Sequence, residues 1–170
     1  GTAAHWRMHN GSGWNAYGAD GIPSSVRRVY IQGAMSTSGS RTASEIIIQN
    51  GGVLTISASS TATNKLLVED GGTLQINANI TVGSTSAPFE VEDNGNVNIN
   101  FEYGTPTSSI WNGVENFHPE SNLTLEDWDA ANDILIPSNT AITTNTYNGY
   151  TAAFGNIICD FGTNLGASDD

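Results

Sequence analysis

Basic residues are scarce in this chain. Its 170 residues include 5 Lys and Arg against 17 Asp and Glu, which gives a formal net charge of -12, and Lys65 is the single lysine. A nucleic-acid binder needs a stripe of Lys and Arg to neutralise phosphates. The charge balance therefore argues against nucleic acid as a partner, and it disfavours anionic membranes and polyanionic substrates for the same reason.

Cysteine and long apolar runs are also nearly absent. Cys159 is the single cysteine, so an internal disulfide cannot form, and its apolar neighbours Ile157 and Ile158 predict a buried structural thiol. No apolar stretch approaches the roughly 18 residues of a membrane-spanning helix, which argues against membrane insertion. Residues 165–170 carry no closing strand or helix stop signal. We therefore expect the natural polypeptide to continue.

Good helix formers are few, whereas small polar residues abound. Ser, Thr and Asn together occupy 54 positions, beside 19 Gly. This composition argues against a predominantly helical protein, because these residue types favour turns and extended segments. A chain of this length favours one domain and can still bury a core.

A nine-residue repeat occupies the middle of the sequence. The second copy follows the first at an offset of 20 residues, the third follows at 23 and a weaker fourth at 26. The copies are residues 48–56, 68–76, 91–99 and 117–125. Three apolar columns recur in step, namely Ile48/Val68/Val91/Phe117, Leu54/Leu74/Val97/Leu123 and Ile56/Ile76/Ile99/Leu125. The pattern is typical of a strand, a sharp turn and a second strand in each unit.

The length of the repeat distinguishes between two all-β architectures. Asn, Asp and Gly at the turn tolerate a positive φ, but hairpins use the same residues, so the turn fits a meander as well as a solenoid. Here an equivalent apolar position recurs only once in 20 to 26 residues. This spacing favours a coil in which equivalent residues of successive turns stack on one another. The sequence therefore predicts an all-β parallel β-solenoid (β-helix) with rungs of about 20–26 residues.

The ends of the chain are assigned separate roles. Residues 1–28, rich in Gly and aromatic residues, are predicted to form an N-terminal segment that caps the open end of the coil, since terminal rungs expose unpaired strand edges. Residues 29–170 are predicted to form the rungs, as a fragment of a longer chain. Short strands are expected at residues 134–136, 141–143 and 156–159.

Several phrases of the sequence are distinctive: Gly11-Ser12-Gly13-Trp14-Asn15, Gly21-Ile22-Pro23-Ser24-Ser25 leading into Val29-Tyr30-Ile31, Asn50-Gly51-Gly52-Val53-Leu54-Thr55-Ile56 and Asp70-Gly71-Gly72-Thr73-Leu74-Gln75-Ile76. Together they resemble the β-solenoid regions of large secreted and cell-surface proteins of Bacteroidetes bacteria. The resemblance extends to residues 116–125 and 150–158, and so covers most of the chain. It implies export through the type IX secretion system, a secreted or cell-surface location and an adhesin-like or scaffolding role. It supplies no catalytic motif.

Stacked carboxylates make calcium a candidate ion. Stacking the second and third copies places Glu69 over Glu92 and Asp70 over Asp93. Two like charges about 4.8 Å apart repel by about 1 kcal/mol even in water, so they either splay into solvent or hold a cation between them. Ca²⁺ takes six to eight oxygen ligands and suits such a site. Otherwise these residues are solvated turn carboxylates that keep the surface soluble.

A second acidic group follows the fourth copy. Asp127, Asp129 and Asp133 surround Trp128, and the spacing fails as an EF-hand because Ala131 and Asn132 occupy the positions of a ligand and the turn glycine. A different kind of calcium site remains one interpretation of this group. An acidic surface loop is the other. No cofactor is required by the sequence.

Enzyme motifs are lacking. The sequence contains no G-x-S-x-G elbow, no H-E-x-x-H, no phosphate loop and no dinucleotide fingerprint. Parallel β-helices do serve polysaccharide lyases, and glycosidases need only two carboxylates, but fold alone does not assign function. We therefore expect a non-catalytic protein, with a carbohydrate-active β-helix enzyme as the less favoured alternative.

Aromatic residues in Gly- and Asn-rich segments are the candidates for ligand binding. Trp111, Trp128 and Tyr103 could stack on sugar faces while neighbouring Asn and Asp bind hydroxyls, or they could seal the loops of the solenoid. The sequence thus predicts a structural, adhesive extracellular module, with a glycan-binding module as the alternative. Its partners would be extracellular or cell-surface glycans or proteins, together with the remainder of its own polypeptide.

Overall fold

The structure is a computed structural model of the chain. It describes residues 7–9, 14–16, 28–83, 88–100, 114–126, 145–147, 150–152 and 155–160. Every element within these residues is a β-strand, and the described part contains no helix. The strands are β1 (Arg7–His9), β2 (Trp14–Ala16), β3 (Arg28–Ile31), β4 (Ala34–Ser36), β5 (Arg41–Ile48), β6 (Val53–Ile56), β7 (Ser60–Val68), β8 (Thr73–Ile76), β9 (Ile80–Val82), β10 (Pro88–Val91), β11 (Asn96–Asn100), β12 (Val114–Phe117), β13 (Asn122–Glu126), β14 (Asn145–Tyr147), β15 (Tyr150–Ala152) and β16 (Asn156–Asp160).

The main body of the fold is a parallel β-solenoid of about three turns. One sheet runs in the order β12-β10-β7-β5-β3 and forms the first face of the coil. A second sheet runs β16-β13-β11-β8-β6-β4 and forms the second face. A shorter third face is made by the first parts of β5 and β7 with β9. The predicted all-β parallel solenoid is confirmed, and a rung length of about 20 residues fits.

An irregularity in the pairing of β5 with β7 separates the third face from the first. Arg41, Thr42 and Ala43 of β5 pair in register with β7, and the pairing shifts between Ala43 and Glu45 before it resumes. The irregularity lets one continuous strand serve two faces, because a local break in register bends the strand. Among the described residues, the part of the coil that contains β5, β7 and β9 therefore has three sides.

The core is built from the apolar columns that the sequence predicted. Ile48 pairs with Val68, Val68 with Val91, and Val91 with Phe117, so one column crosses four strands without a break. The Leu54 and Ile56 columns are stacked in the same way on the second face. Nearly all these side chains are less than 5 % exposed. Phe89 and Phe117 add an edge-to-face contact with ring centroids 5.3 Å apart.

The corner between the first and second faces explains the Asn/Asp-Gly-Gly motif. Gly51 and Gly71 have φ of 73° and 71°, and Asn94 takes the same position in the next rung with φ of 57°. Asn is among the few side chains that adopt this conformation readily. The predicted bend at a residue that tolerates a positive φ agrees with these angles in the first three copies. In the fourth copy Glu120 stands at this position, and it is not among the described residues with a positive φ.

The following glycine of the motif is needed for close packing. A Cβ atom at Gly72 would lie 2.7 Å from the carbonyl oxygen of Ile48 and 3.0 Å from that of Glu69. In the fourth copy Ser121 stands at this position, fully buried, and its hydroxyl donates to the carbonyl of His118 at 2.7 Å. The corner thus brings the backbones of successive rungs too close for most side chains.

The last strand of the second sheet corrects one expectation. Cys159 of β16 pairs with Leu125, on the apolar column of the core, yet its side chain is exposed rather than buried. Its neighbour Ile157 is 44 % exposed. A column residue is covered by the rungs on both sides of it, and β16 is the terminal strand in the order of its sheet. The apolar residues around Cys159 in the sequence do not indicate that its strand lies at the end of the sheet.

Other expectations fall partly outside the described residues. β16 matches the short strand expected at residues 156–159, whereas those at 134–136 and 141–143 lie outside the described part of the chain. Within residues 1–28, the structure describes an antiparallel pair, β1 with β2, and the start of β3. No helix among the described residues has the length and apolar character needed to cross a membrane.

Replacing Gly72 tests the close approach at the corner. We expect Gly72→Ala to destabilise the fold by about 1–3 kcal/mol, because the added methyl group overlaps two backbone carbonyl oxygens that cannot move independently. Gly33→Ala is the matched control, since a Cβ atom there meets nothing within 4 Å. Urea unfolding of both variants measures the difference. Equal midpoints for the two would contradict the packing role of Gly72.

Candidate functional site: an acidic corner and an amide face

The four carboxylates of the second and third copies lie together at one corner of the coil. Glu69 and Glu92 directly follow the paired residues Val68 and Val91, so the predicted stacking agrees with the register of the sheet. Asp70 and Asp93 follow in the turns. We call these four residues the acidic corner.

Each carboxylate of the acidic corner accepts a hydrogen bond from a neighbouring rung. Glu92 Oε2 accepts from the backbone N–H of Asp70 at 3.2 Å, and Asp70 Oδ1 accepts from the amide of Asn94 at 3.3 Å. Asp93 accepts from the backbone N–H of Glu120 at 3.3 Å. The side-chain amide of Gln49 lies 3.5 Å from Glu69. Neutral donors thus reduce the repulsion that stacking creates, and exposure to solvent screens the rest.

Two basic side chains, Lys65 and His118, lie next to the acidic corner. Lys65 Nζ lies 3.0 Å from Glu90 Oε2, and His118 Nε2 lies 3.7 Å from Glu90 Oε1. The other ring nitrogen of His118 is 4.0 Å from Asp93. Glu90 and Asp93 therefore flank a largely buried histidine side chain, which becomes charged only if it is protonated.

Of the two predicted calcium sites, the structure describes the residues of the acidic corner alone. Within the described residues, no group of three or more His, Cys, Asp or Glu is arranged to hold a metal ion. The carboxylates of Glu69 and Glu92 are directed to different donors. Asp127, Asp129 and Asp133 lie outside the described part of the chain. Calcium binding stays a prediction at both places.

The second face carries a polar surface that sequence reasoning missed. The outward side chains of β8, β11 and β13, with Asn77, are all half-buried, and we call them the amide face: Thr73, Gln75, Asn77, Asn96, Asn98, Asn100, Asn122, Thr124 and Glu126. Six of the nine are Asn or Gln, and Glu126 is the single acid among them. These residues alternate with the buried core columns, as strand geometry requires.

An asparagine ladder runs along one side of the amide face. Asn122 Nδ2 donates to Asn96 Oδ1 at 3.0 Å, and Asn156 of β16 donates to Asn122 Oδ1 at 3.1 Å. Asn96 donates in turn to the backbone carbonyl of Asn94 at 3.0 Å. Identical amides at rung spacing form such a chain because each has both a donor and an acceptor.

A second network crosses three rungs on the other side of the face. Gln75 Nε2 donates to Glu126 Oε2 at 2.9 Å and to Asn77 at 3.2 Å, while its carbonyl accepts from Asn98 at 3.1 Å. Asn100 lies 3.4 Å from the same Glu126 oxygen. The sequence signal was the run Asn96-x-Asn98-x-Asn100, whose polar alternation could have identified the face. The aromatic candidates Trp111, Trp128 and Tyr103 lie outside the described residues.

Comparisons with protein-family models, curated proteins and solved structures found no match for this chain.

Calcium binding at the acidic corner is tested by melting the protein in excess calcium and in chelator. An ion held by the folded state raises the melting temperature in proportion to RT ln(1 + [L]/Kd). If the corner holds calcium, we expect that increase to disappear in Glu92→Gln and to persist in Glu45→Gln, an acid of the first face. Identical melting in both solutions would remove the corner as a calcium site.

The asparagine ladder is tested by Asn122→Ala. The change removes one donated and one accepted amide bond, so we expect a loss of about 1–3 kcal/mol, at roughly 0.5–1.5 kcal/mol for each bond. Thr124→Ala, two residues along the same strand, is the control. Its hydroxyl makes no hydrogen bond among the described residues, and the expected change is within about 0.5 kcal/mol. Urea unfolding measures the free energy of unfolding of both variants. Equal values for the two would show that the ladder does not stabilise the fold.

Proposed function

We propose that this chain is a non-catalytic structural and adhesive module of a large secreted or cell-surface bacterial protein. The observation that carries the proposal is the continuous register of the coil, in which one residue column passes from Ile31 through Ile48, Val68 and Val91 to Phe117. A stack in which each rung contacts only its neighbours suits a rigid spacer or a presenting surface. The remainder of the polypeptide would be its first partner.

The outer surface supports this role. Polar residues alternate with the core columns on the second face, and the acidic corner contributes four of the 17 acidic residues. A net charge of -12 keeps a protein soluble and disfavours nucleic acid and anionic surfaces as ligands. We therefore expect neutral glycans or proteins outside the cell as partners, and export by type IX secretion remains part of the proposal through the sequence resemblance.

Glycan binding is the second candidate function. The amide face favours it, because side-chain amides can donate to and accept from sugar hydroxyls. A carbohydrate-active enzyme has less support. The carboxylates of the acidic corner are engaged with backbone and amide donors, and an acid and base pair needs two carboxyl groups at a set separation across a substrate.

The proposed location and inactivity are testable together. An antibody raised against the purified chain should label intact cells of the organism that carries it, and brief external protease treatment should abolish the labelling. The chain incubated with polysaccharides, with calcium and with chelator, should release no reducing or unsaturated ends. Labelling that requires permeabilised cells would contradict the surface role. Release of sugar ends that Glu92→Gln or Asp93→Asn abolishes would instead establish an enzyme.

A further inference from the structure

The amide face differs in charge from the rest of the molecule. The chain carries 17 acidic residues, yet Glu126 is the one acid among the nine residues of this face, and its Oε2 atom accepts from Gln75 and lies within reach of Asn100. The acidic corner holds four carboxylates on a neighbouring part of the surface. The amide face is thus a broad part of the described surface whose low charge suits an uncharged ligand.

The side chains of the face are held in place before any ligand arrives. Gln75 is fixed by three bonds to Asn77, Asn98 and Glu126, and the ladder fixes Asn122 at both ends of its amide. Flexible polar side chains lose conformational entropy when a ligand orders them, at about 0.5–1.5 kcal/mol each. The networks remove much of that cost, so hydrogen bonds to a ligand would contribute more of their free energy to binding.

Two groups in the middle of the face have hydrogen-bonding capacity to spare. Asn98 uses its Nδ2 atom to donate to Gln75, whereas its carbonyl oxygen accepts nothing among the described residues. Thr124, its in-register partner on β13, makes no side-chain hydrogen bond there either. A free acceptor therefore stands beside a free hydroxyl, which both donates and accepts. Sugar hydroxyls have the same dual character.

The repeat of the face gives the ligand a direction. Gln75, Asn98 and Thr124 form one outward column across β8, β11 and β13, with neighbours about 4.8 Å apart. The Asn96 and Asn122 ladder runs parallel to it at about 7 Å, the distance between alternate residues of a strand. A ligand with repeated hydroxyl-bearing units would meet similar groups at each rung if its chain crossed the strands.

From this geometry we infer that the amide face binds an extended, neutral polysaccharide whose chain runs across the strands, along the axis of the coil. The inference deepens the proposed adhesive function and rests on it. Successive sugar units contact successive rungs, with Asn98 and Thr124 at the centre and the asparagine ladder at one side. Anionic polysaccharides are excluded by the charge of the surrounding surface.

The third face is the best competitor and supplies the control. Thr42, Thr61 and Thr81 form an outward hydroxyl column in register on β5, β7 and β9. This column consists of threonines alone, whereas the column of the amide face combines Gln75 and Asn98 with Thr124. Thr61→Ala therefore removes a comparable outward threonine from a surface that the inference leaves out of the site.

The test measures retention of the whole purified chain on insoluble cellulose, chitin and a β-1,3-glucan, with polygalacturonate as the anionic comparison. We expect at least one neutral polysaccharide to retain the chain and polygalacturonate to let it pass. The double variant Asn98→Ala with Thr124→Ala should bind about tenfold or more weakly, equivalent to about 1.4 kcal/mol. Thr61→Ala should bind like the parent chain.

A second variant separates a loss of binding from a loss of folding. Thr124→Val removes only the hydroxyl, keeps a β-branched residue in the strand, and breaks no hydrogen bond among the described residues. We expect it to melt with the parent chain and bind at least threefold more weakly. Unchanged binding of folded Thr124→Val and of the double variant, or an equal loss in Thr61→Ala, would overturn the site.

Failure of this inference is distinguishable from failure of the proposed function. If none of the neutral polysaccharides retains the chain, or if polygalacturonate retains it better, the amide face is not a polysaccharide site and the inference is wrong. Labelling of intact cells would still support a structural surface module in that case. Absence of surface labelling would contradict the proposed function whatever the polysaccharides show.

Discussion

In-register stacking of parallel strands is the interaction on which this structure depends. Each rung satisfies its backbone hydrogen bonds from the rungs beside it, as when Glu69 N donates to Ile48 O and Glu92 N donates to Val68 O. Stacking places similar residues directly above one another, so each side chain must be compatible with the equivalent side chains of the neighbouring rungs. The apolar columns meet this requirement because aliphatic side chains pack favourably on themselves. The corners meet it with Gly72, Gly95 and buried Ser121 at equivalent positions.

The same constraint governs polar residues, and the protein meets it in three ways. On the first face the charges alternate, with Glu45 in register between Arg28 and Lys65. The Arg28 guanidinium donates two hydrogen bonds to the carboxylate of Glu45, at 2.6 and 2.8 Å, and these bonds raise the pKa of Arg28 above its ordinary value. At the acidic corner like charges do stack, and amide or backbone donors from adjacent rungs bind them. On the amide face identical side chains bond to each other, because an amide complements its own copy.

The proposed binding of a neutral polysaccharide rests on the third of these solutions. The side-chain amides of this face hydrogen-bond to one another across successive rungs. Such a row is held in place, carries no charge and repeats at each rung, so it suits a ligand that is itself periodic and neutral. In the same proposal, the negative charge of the acidic corner disfavours polyanions as ligands. The exposed column positions Ile157 and Cys159 show how strongly the burial of a residue depends on the next rung, since equivalent residues inside the stack are almost fully covered.

The sequence by itself determined the period, the three apolar columns and the turn at the Asn/Asp-Gly-Gly motif. These features follow from local conformational preference and from apolar periodicity, both of which are visible along the chain. Only the tertiary structure decided which outward residues meet. Gln75 and Glu126 are 51 residues apart and bond across an intervening strand, a contact that no local pattern encodes. It also decided that Cys159 is exposed, because covering a column residue requires a neighbouring rung on each side.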